Sequence, residues 1–258
     1  MIHKSFFTYR LFIFSFIFIL TLFVTPSFAG PPYDTDDPEP VELHHWEIYA
    51  SSRPVHDVEG WSGTAPHFEV NYGAVKNLQL HVICPCAFNS PNGMSSAYGF
   101  GDMELGMKYR FVNETSSIPQ IGIFPLVELP TGNQNKGLGN GETQISIPLW
   151  LQKTFGRWTS YGGAGYWFNP GNGNKNWLFI GWQIQDQLLD NLSIGAEVYH
   201  NTPQVIEGAS DNRFNFGMVF DVTDHHHILF SAGRGFNGPV LAQVYIGYQL
   251  TLGPAVKQ

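Results

Sequence analysis

Charged residues recur at every second position in several short runs of this sequence. Between residues 102 and 111, Asp102, Glu104, Lys108 and Arg110 alternate with large apolar residues. In an extended strand this spacing puts all of the charges on one face. Such a face could line a polar passage that selects solutes, or its charges could pair with one another in a structural network. The candidate residues for either role are Glu47, Glu69, Asp102, Glu104, Lys108, Arg110, Glu128, Glu197, Arg213 and Arg234.

A second concentration of charge lies in a Pro-rich stretch near the N-terminus, which contains Asp34, Asp36, Asp37 and Glu39. The stretch has no strand periodicity. It also lacks the loop glycine and the bidentate glutamate spacing of an EF-hand, so we predict no calcium site. Its carboxylates are suited to pairing with basic side chains. The alternative is a solvated, disordered leader.

Metal and enzymatic chemistry are poorly supported. On a strand, only His225 and His227 of the His225-His226-His227 run would share a face, and a third ligand is missing. Several serines fall in strand-like runs, but no spacing pairs a nucleophile with a base and an orienting acid. We therefore predict a protein that is not an enzyme and has no cofactor or bound metal.

The elements that carry these charges are strands. Helical periodicity is almost absent, whereas apolar and polar residues alternate over runs of about ten residues. Residues 67–72 are typical, because Phe68 and Val70 oppose His67 and Glu69. Trp150 breaks the alternation of its run. The pattern predicts about twelve strands.

The connections between these strands favour a barrel. In chain order they fall near 54–62, 74–77, 89–97, 113–117, 131–141, 156–157, 169–175, 189–191, 202–210, 223–225 and 235–239. Long and short connections alternate, as expected when one rim has tight periplasmic turns and the other has extracellular loops. A soluble sandwich has no reason to sort its loops by length. We predict an all-β fold, a transmembrane up-and-down antiparallel β-barrel in a Gram-negative outer membrane.

The N-terminus resembles an export signal. Lys4 and Arg10 precede the apolar run from Leu11 to Val24, and Ser27-Phe28-Ala29 offers a cleavage site. The apolar run is shorter than the roughly 20 residues that a membrane-spanning helix needs, although a retained anchor is the alternative. We predict a cleaved signal peptide over residues 1–29. The 13 basic residues form no cluster, so nucleic acid is not an expected partner.

Several short motifs occur in a specific order. Pro31–Val41 leads to His45-Trp46-Glu47, and Gly99-Phe100-Gly101-Asp102 comes before Lys108–Phe111. Phe124-Pro125, Pro130-Thr131-Gly132, Gly137-Leu138-Gly139 and Ser231–Arg234 follow. This succession resembles the MetA-pathway of phenol degradation family, whose members are often described as outer-membrane transporters. The resemblance covers essentially the whole mature chain but supplies no catalytic or binding residues.

Three regions are expected after these considerations. Residues 1–29 are the signal peptide, residues 30–42 are an acidic Pro-rich segment, and residues 43–258 form the barrel. An even number of strands puts both termini at the periplasmic rim, where Lys108 and Arg110 are also expected. We therefore predict that the acidic segment enters the lumen as a small plug and pairs with these two residues.

The predicted function is passive passage of small solutes through an outer-membrane channel. The family resemblance implies aromatic or moderately hydrophobic solutes, which Tyr49, Tyr199 and Tyr245 could contact by stacking. The alternative is a closed structural or adhesive barrel that acts through its extracellular loops. The loop Thr131–Gly141 could fold inward as a constriction or stand out as a mobile surface. Expected partners are outer-membrane lipid, a small-molecule solute and, during biogenesis, the barrel-assembly machinery.

Overall fold

A computed structural model describes residues 30–254 of the chain, so the predicted signal peptide lies outside the described residues. The described part is one antiparallel sheet with a single 3-10 helix at Gln134–Lys136. The strand segments are β1 (Trp46–Asp57), β2 (Gly60–Val75), β3 (Leu78–Pro91), β4 (Ala97–Phe100), β5 (Met103–Val112), β6 (Gln120–Ile123), β7 (Leu126–Leu129), β8 (Gln144–Phe155), β9 (Trp158–Phe168), β10 (Trp177–Leu189), β11 (Leu192–Asn201), β12 (Asp211–Asp221), β13 (His226–Asn237) and β14 (Val240–Leu252).

The sheet closes on itself because β1 pairs with both β2 and β14. Two of the strands are interrupted. β4 and β5 both pair with β3 and are separated by Gly101-Asp102, whereas β6 and β7 both pair with β5 and β8 and are separated by Phe124-Pro125. Proline has no N–H group to donate to the ladder, which accounts for the second break. The barrel therefore has twelve strands, which confirms the predicted fold class.

The two faces of the sheet differ as the alternation predicts. On β10, the side chains of Ile180, Trp182 and Ile184 are exposed, whereas Gln183 and Gln185 are buried. The outer face can therefore contact lipid, and closure pairs the backbone polar groups of neighbouring strands. Among residues 30–254, no helix is long and apolar enough to cross a membrane.

The two rims are distinguished by the chain ends. The terminal rim carries the N- and C-terminal ends of the barrel with the turns 76–77, 113–119, 156–157, 190–191 and 222–225. The opposite rim carries 58–59, 92–96, 130–143, 169–176, 202–210 and 238–239. Short turns and termini mark the periplasmic side of such barrels, so the opposite rim faces outward.

The prediction of long connections at 54–62 and 235–239 is wrong. β1 and β2 continue through most of 54–62, and β13 and β14 through most of 235–239, so each pair ends in a tight turn. At the first turn, the Asp57 carboxylate accepts hydrogen bonds from the amides of Glu59 and Gly60. Pro and Gly residues suggested loops there, but the strands remain paired with both neighbours.

Candidate functional site

The acidic segment lies inside the barrel. At the terminal rim, Leu43 forms a bridge to Gly73 of β2, and the amide of Val41 donates to Gln79 Oε1 of β3 at 2.9 Å. Farther into the lumen, the carbonyl oxygen of Pro32 accepts a hydrogen bond from Ser231 of β13 at 2.6 Å. Thr35, between these ends, has no exposed surface. The segment therefore enters from the terminal rim and runs through the lumen between β3 and β13.

The acidic residues of the segment contact basic groups of the wall. The shortest contact joins Asp36 Oδ1 and Lys108 Nζ at 2.8 Å, and Asp37 Oδ1 lies 3.4 Å from the same nitrogen. Glu39 lies 3.5 Å from Arg110 Nη1. These two wall residues are the ones that the sequence analysis places at this rim.

A third basic contact was not among the candidates. Arg53 of β1 donates to Asp34 at 2.9 Å, deeper in the lumen than Lys108 and Arg110. The alternation of β1 could have indicated that Arg53 faces inward, because it lies an even number of residues after Glu47.

Asp37 is the most completely buried carboxyl group of the segment. Burial, with a smaller contribution from the nearby carboxylates of Asp36 and Glu39, raises the pKa of Asp37 to about 8 against the opposing effect of Lys108. Asp36 makes the shorter contact with the buried Lys108 ammonium, while burial favours the protonated form of Asp37.

A continuous row of polar side chains on the wall receives the segment. Its members are cross-strand neighbours on β6, β8, β9, β10, β11 and β12: Gln120, Gln152, Tyr161, Gln183, Glu197 and Asn215. Glu197 accepts hydrogen bonds from the amides of Asp34 at 3.0 Å and Thr35 at 2.7 Å. Gln120 and Gln152 donate to Glu39. We call this set the polar row.

Glycines of the wall make room for the segment. A Cβ atom on Gly181 of β10 would lie 2.3 Å from Thr35 Oγ1, and one on Gly195 of β11 would lie 2.6 Å from the Tyr33 hydroxyl. A Cβ atom on Gly217 of β12 would lie 2.9 Å from the Tyr33 ring. Larger side chains at these positions would collide with the segment. The wall is therefore complementary to it in shape as well as in charge.

The three tyrosines considered for solute contacts are buried in the wall. Tyr49 donates to Glu47 at 2.8 Å and accepts from Gln249 at 2.9 Å. Tyr199 donates to Gln243 at 2.8 Å and stacks on Phe179. Tyr245 packs with Tyr49 in a small apolar cluster and lies beside the Arg53 guanidinium.

The remaining candidate charges also lie mostly inside the barrel. Glu69 contacts Asn71, Glu128 contacts Gln144, and Glu104 lies 3.0 Å from His81. Arg213 pairs with Asp211 and donates to Gln243. Trp150, the exception to its alternation, is buried and has its ring beside Phe179. These charged residues therefore line the lumen and also pair with neighbouring side chains of the wall.

The prediction that Arg234 lines the lumen is wrong, because Arg234 lies on the outer face. Ser231 of the same strand points inward to Pro32, so Arg234 shares its face with Phe230 and Phe236, both of which are exposed. Its cross-strand partner is Phe214. The lumen assignment assumed that a charge must face inward. Near a rim, however, a long basic side chain can reach the polar interface from the outer face.

The long loop of the opposite rim folds inward. Asp102, at the break between β4 and β5, accepts hydrogen bonds from the amides of Gly132 at 2.8 Å and Asn140 at 2.5 Å. Thr131 donates to the carbonyl oxygen of Gly101 at 2.8 Å, and Leu138 is buried. We call these contacts the Asp102 latch. The latch joins the motif Gly99–Asp102 to the motif Pro130–Gly132. Of the two arrangements considered for this loop, inward folding and a mobile surface, the structure has the first.

A closed barrel with an apolar exterior and a polar interior is the architecture of bacterial outer-membrane proteins, and the outer membrane is the location of this protein. The chain belongs to the family described as "Putative MetA-pathway of phenol degradation", whose profile matches residues 68–243. No curated protein sequence matches the chain.

Several solved structures share the fold. An outer-membrane channel from Pseudomonas putida F1 has a TM-score of 0.69 at 15% identity, covering 85% of this chain and 100% of that chain. The KdgM porin has a TM-score of 0.54 at 10% identity, covering 79% and 98%. The NanC porin has a TM-score of 0.55 at 6% identity, covering 80% and 100%. The named neighbours are channels and porins, not enzymes.

Proposed function

We propose that the protein is a passive outer-membrane channel for small solutes, and that residues 30–42 act as a plug that restricts the lumen. The observation that carries this proposal is the way the segment is held. It contacts the wall through ion pairs and hydrogen bonds, and its C-terminal end continues into β1. If the lumen were permanently filled, side chains of the wall could fill it, and a separate segment held by polar contacts would not be needed.

The size of the barrel is consistent with this proposal. Eight strands leave an interior that side chains can fill, whereas sixteen or more leave an aqueous channel. Twelve strands lie between these limits, so the lumen is wide enough for a passage but narrow enough to be restricted by one extended segment. Shape complementarity at Gly181 and Gly195 supports a specific docked position.

The proposed solutes are small aromatic or moderately hydrophobic compounds. Support comes from the description of the family, which refers to phenol degradation. The burial of Tyr49 and Tyr199 weakens the proposal that these rings contact the solute. Residues at the opposite rim, above the plug, are better placed to meet a solute that arrives from outside.

The test is single-channel recording of the refolded mature protein in a planar bilayer, with and without phenol. Discrete openings that phenol reduces are expected from a channel that accepts aromatic solutes. Openings that are insensitive to phenol would support the channel proposal but contradict the proposal that its solutes are aromatic. A bilayer that stays sealed even for the protein without residues 30–40 would support the closed structural or adhesive barrel instead.

A further inference from the structure

A cavity lies at the opposite rim, beneath the inward loop. Its volume is about 510 Å³, within the range of small-molecule sites. Its walls come from β1, β2, β3, β5 and β7, and the residues Gly137–Asn140 cover it. Ile83, Pro85 and Leu138 give the cavity an apolar side. The cavity is therefore large enough for a compound of about the size of one substituted ring.

The polar side of the cavity carries excess negative charge. Glu104 and Glu128 are directly opposite each other on β5 and β7, an arrangement that is unfavourable for two like charges. Glu104 lies 3.0 Å from His81, whereas the hydrogen bond that Glu128 accepts comes from the neutral amide of Gln144. Within residues 30–254, no lysine or arginine lies within ion-pair distance of Glu128.

The other charged groups of the cavity wall are already engaged. Arg53 pairs with Asp34 of the plug at 2.9 Å, and both carboxylate oxygens of Asp102 accept backbone hydrogen bonds in the latch. Glu128 is therefore the wall charge that a bound cation would satisfy.

His67 is a second, independent indication of a ligand. Only 6% of its surface is exposed, and it forms part of the cavity wall. Its Nδ1 lies 3.0 Å from Thr64 Oγ1, but its Nε2 has no hydrogen-bonding partner within the described residues. A buried polar atom without a partner is unfavourable, and a ligand with a polar group would supply the missing hydrogen bond.

We infer that this cavity binds a small organic ammonium ion, with the ammonium group at Glu128 and Glu104 and an apolar body against Ile83, Pro85 and Leu138. This inference rests on the proposed channel function and specifies the solute that the outer mouth selects. A hydroxyl group on the apolar body can form the missing hydrogen bond with Nε2 of His67. Tyramine combines these features in one molecule, so it is the probe of choice.

Isothermal titration calorimetry of the refolded protein in detergent tests the inference. Tyramine should bind to the wild type, whereas 4-ethylphenol, which lacks the ammonium group, should bind at least about tenfold more weakly. Glu128→Gln keeps the size of the side chain and an oxygen that can accept from Gln144, and it should weaken tyramine binding by a similar factor. Glu207→Gln is the matched control, because it removes one negative charge from the loop 202–210, away from the cavity.

The outcomes separate this inference from the channel proposal, because binding in detergent does not require conductance. Equal binding of tyramine and 4-ethylphenol would overturn the inference, as would equal effects of Glu128→Gln and Glu207→Gln. Calcium chloride that binds in place of tyramine and depends on Glu128 would also overturn it, because the site would then be one for a metal ion. If the bilayer stays sealed but tyramine still binds, the result would contradict the channel proposal and leave the inference about the cavity intact.

Discussion

The carboxylate of Asp36 lies 2.8 Å from the ammonium group of Lys108, and only 3% of the Lys108 side chain is exposed. One partner belongs to the N-terminal segment and the other to the barrel wall. A buried charge without a partner is costly, so each group depends on the other. This pair connects the position of the segment to the state of the lumen.

Lys108→Met should release the plug. The variant leaves Asp36 in the lumen without its cation, and removing one partner of a buried pair typically costs about 3–5 kcal/mol. Conductance in planar bilayers should therefore rise above the wild-type value. Lys153→Met is the control, because Lys153 pairs with Glu114 at the terminal rim, outside the segment. Equal conductance of the two variants would contradict the role of Lys108.

The docking of the plug should weaken as the pH rises. Burial raises the pKa of Asp37 from an ordinary value of about 3.9 to about 8, so docking takes up a proton between these values. Docking is then strongest at the acid end, weakens by up to about tenfold per pH unit, and levels off above pH 8. The charged groups that face Asp37 are Lys108, Asp36 and Glu39.

Single-channel open probability between pH 5 and pH 9 measures this dependence. The wild type should open more often as the pH rises to 8. Asp37→Asn, which resembles the protonated residue, should stay largely closed and show a flatter profile. A steep profile in Asp37→Asn would assign the pH dependence to another group.

A steric variant tests the docked position without a change in charge. Gly181→Val crowds Thr35, because even a Cβ atom would be 2.3 Å from Thr35 Oγ1 and 2.7 Å from the Phe179 ring. The plug should be displaced and conductance should rise. Ala196→Val also introduces a valine, but on the outer face of the neighbouring strand, between Ile194 and Val198, and should leave conductance unchanged. If Gly181→Val behaves like this control, the segment does not dock as described.

The Asp102 latch should protect two amides of the inward loop. Asp102→Ala removes the acceptors of Gly132 and Asn140, and the loss of a hydrogen bond to a charged acceptor should speed their hydrogen exchange by about tenfold or more. Asp57→Ala is the control, because it frees the amides of Glu59 and Gly60 in another turn of the same rim. Unchanged exchange at Gly132 and Asn140 would show that other contacts hold the loop.

The alternation of residue types was sufficient to predict the strands and the faces of most charges. It placed Lys108 and Arg110 inside the barrel at the terminal rim, where they contact Asp36 and Glu39. That prediction needed only the strand period and the direction of the chain. Arg234 shows the limit, because a charge near a rim can occupy either face.

Other parts of the site have no signal in one sequence. The period of a strand indicates where a side chain points, but it cannot indicate that Gly181 and Gly195 are small because Tyr33 and Thr35 pass beside them. The polar row depends on register, which places Gln152 beside Tyr161 and Gln183 beside Glu197 on neighbouring strands. The Pro and Gly residues near 54–62 indicated a loop, whereas pairing on both sides kept β1 and β2 extended.

The most direct test of the plug is the conductance of the refolded barrel with and without residues 30–40. Heat-modifiable gel migration and β-type circular dichroism should first show that both proteins form the barrel. The account predicts a larger single-channel conductance for the truncated protein under identical salt and voltage. An intact truncated barrel with the same conductance as the full mature protein would contradict it.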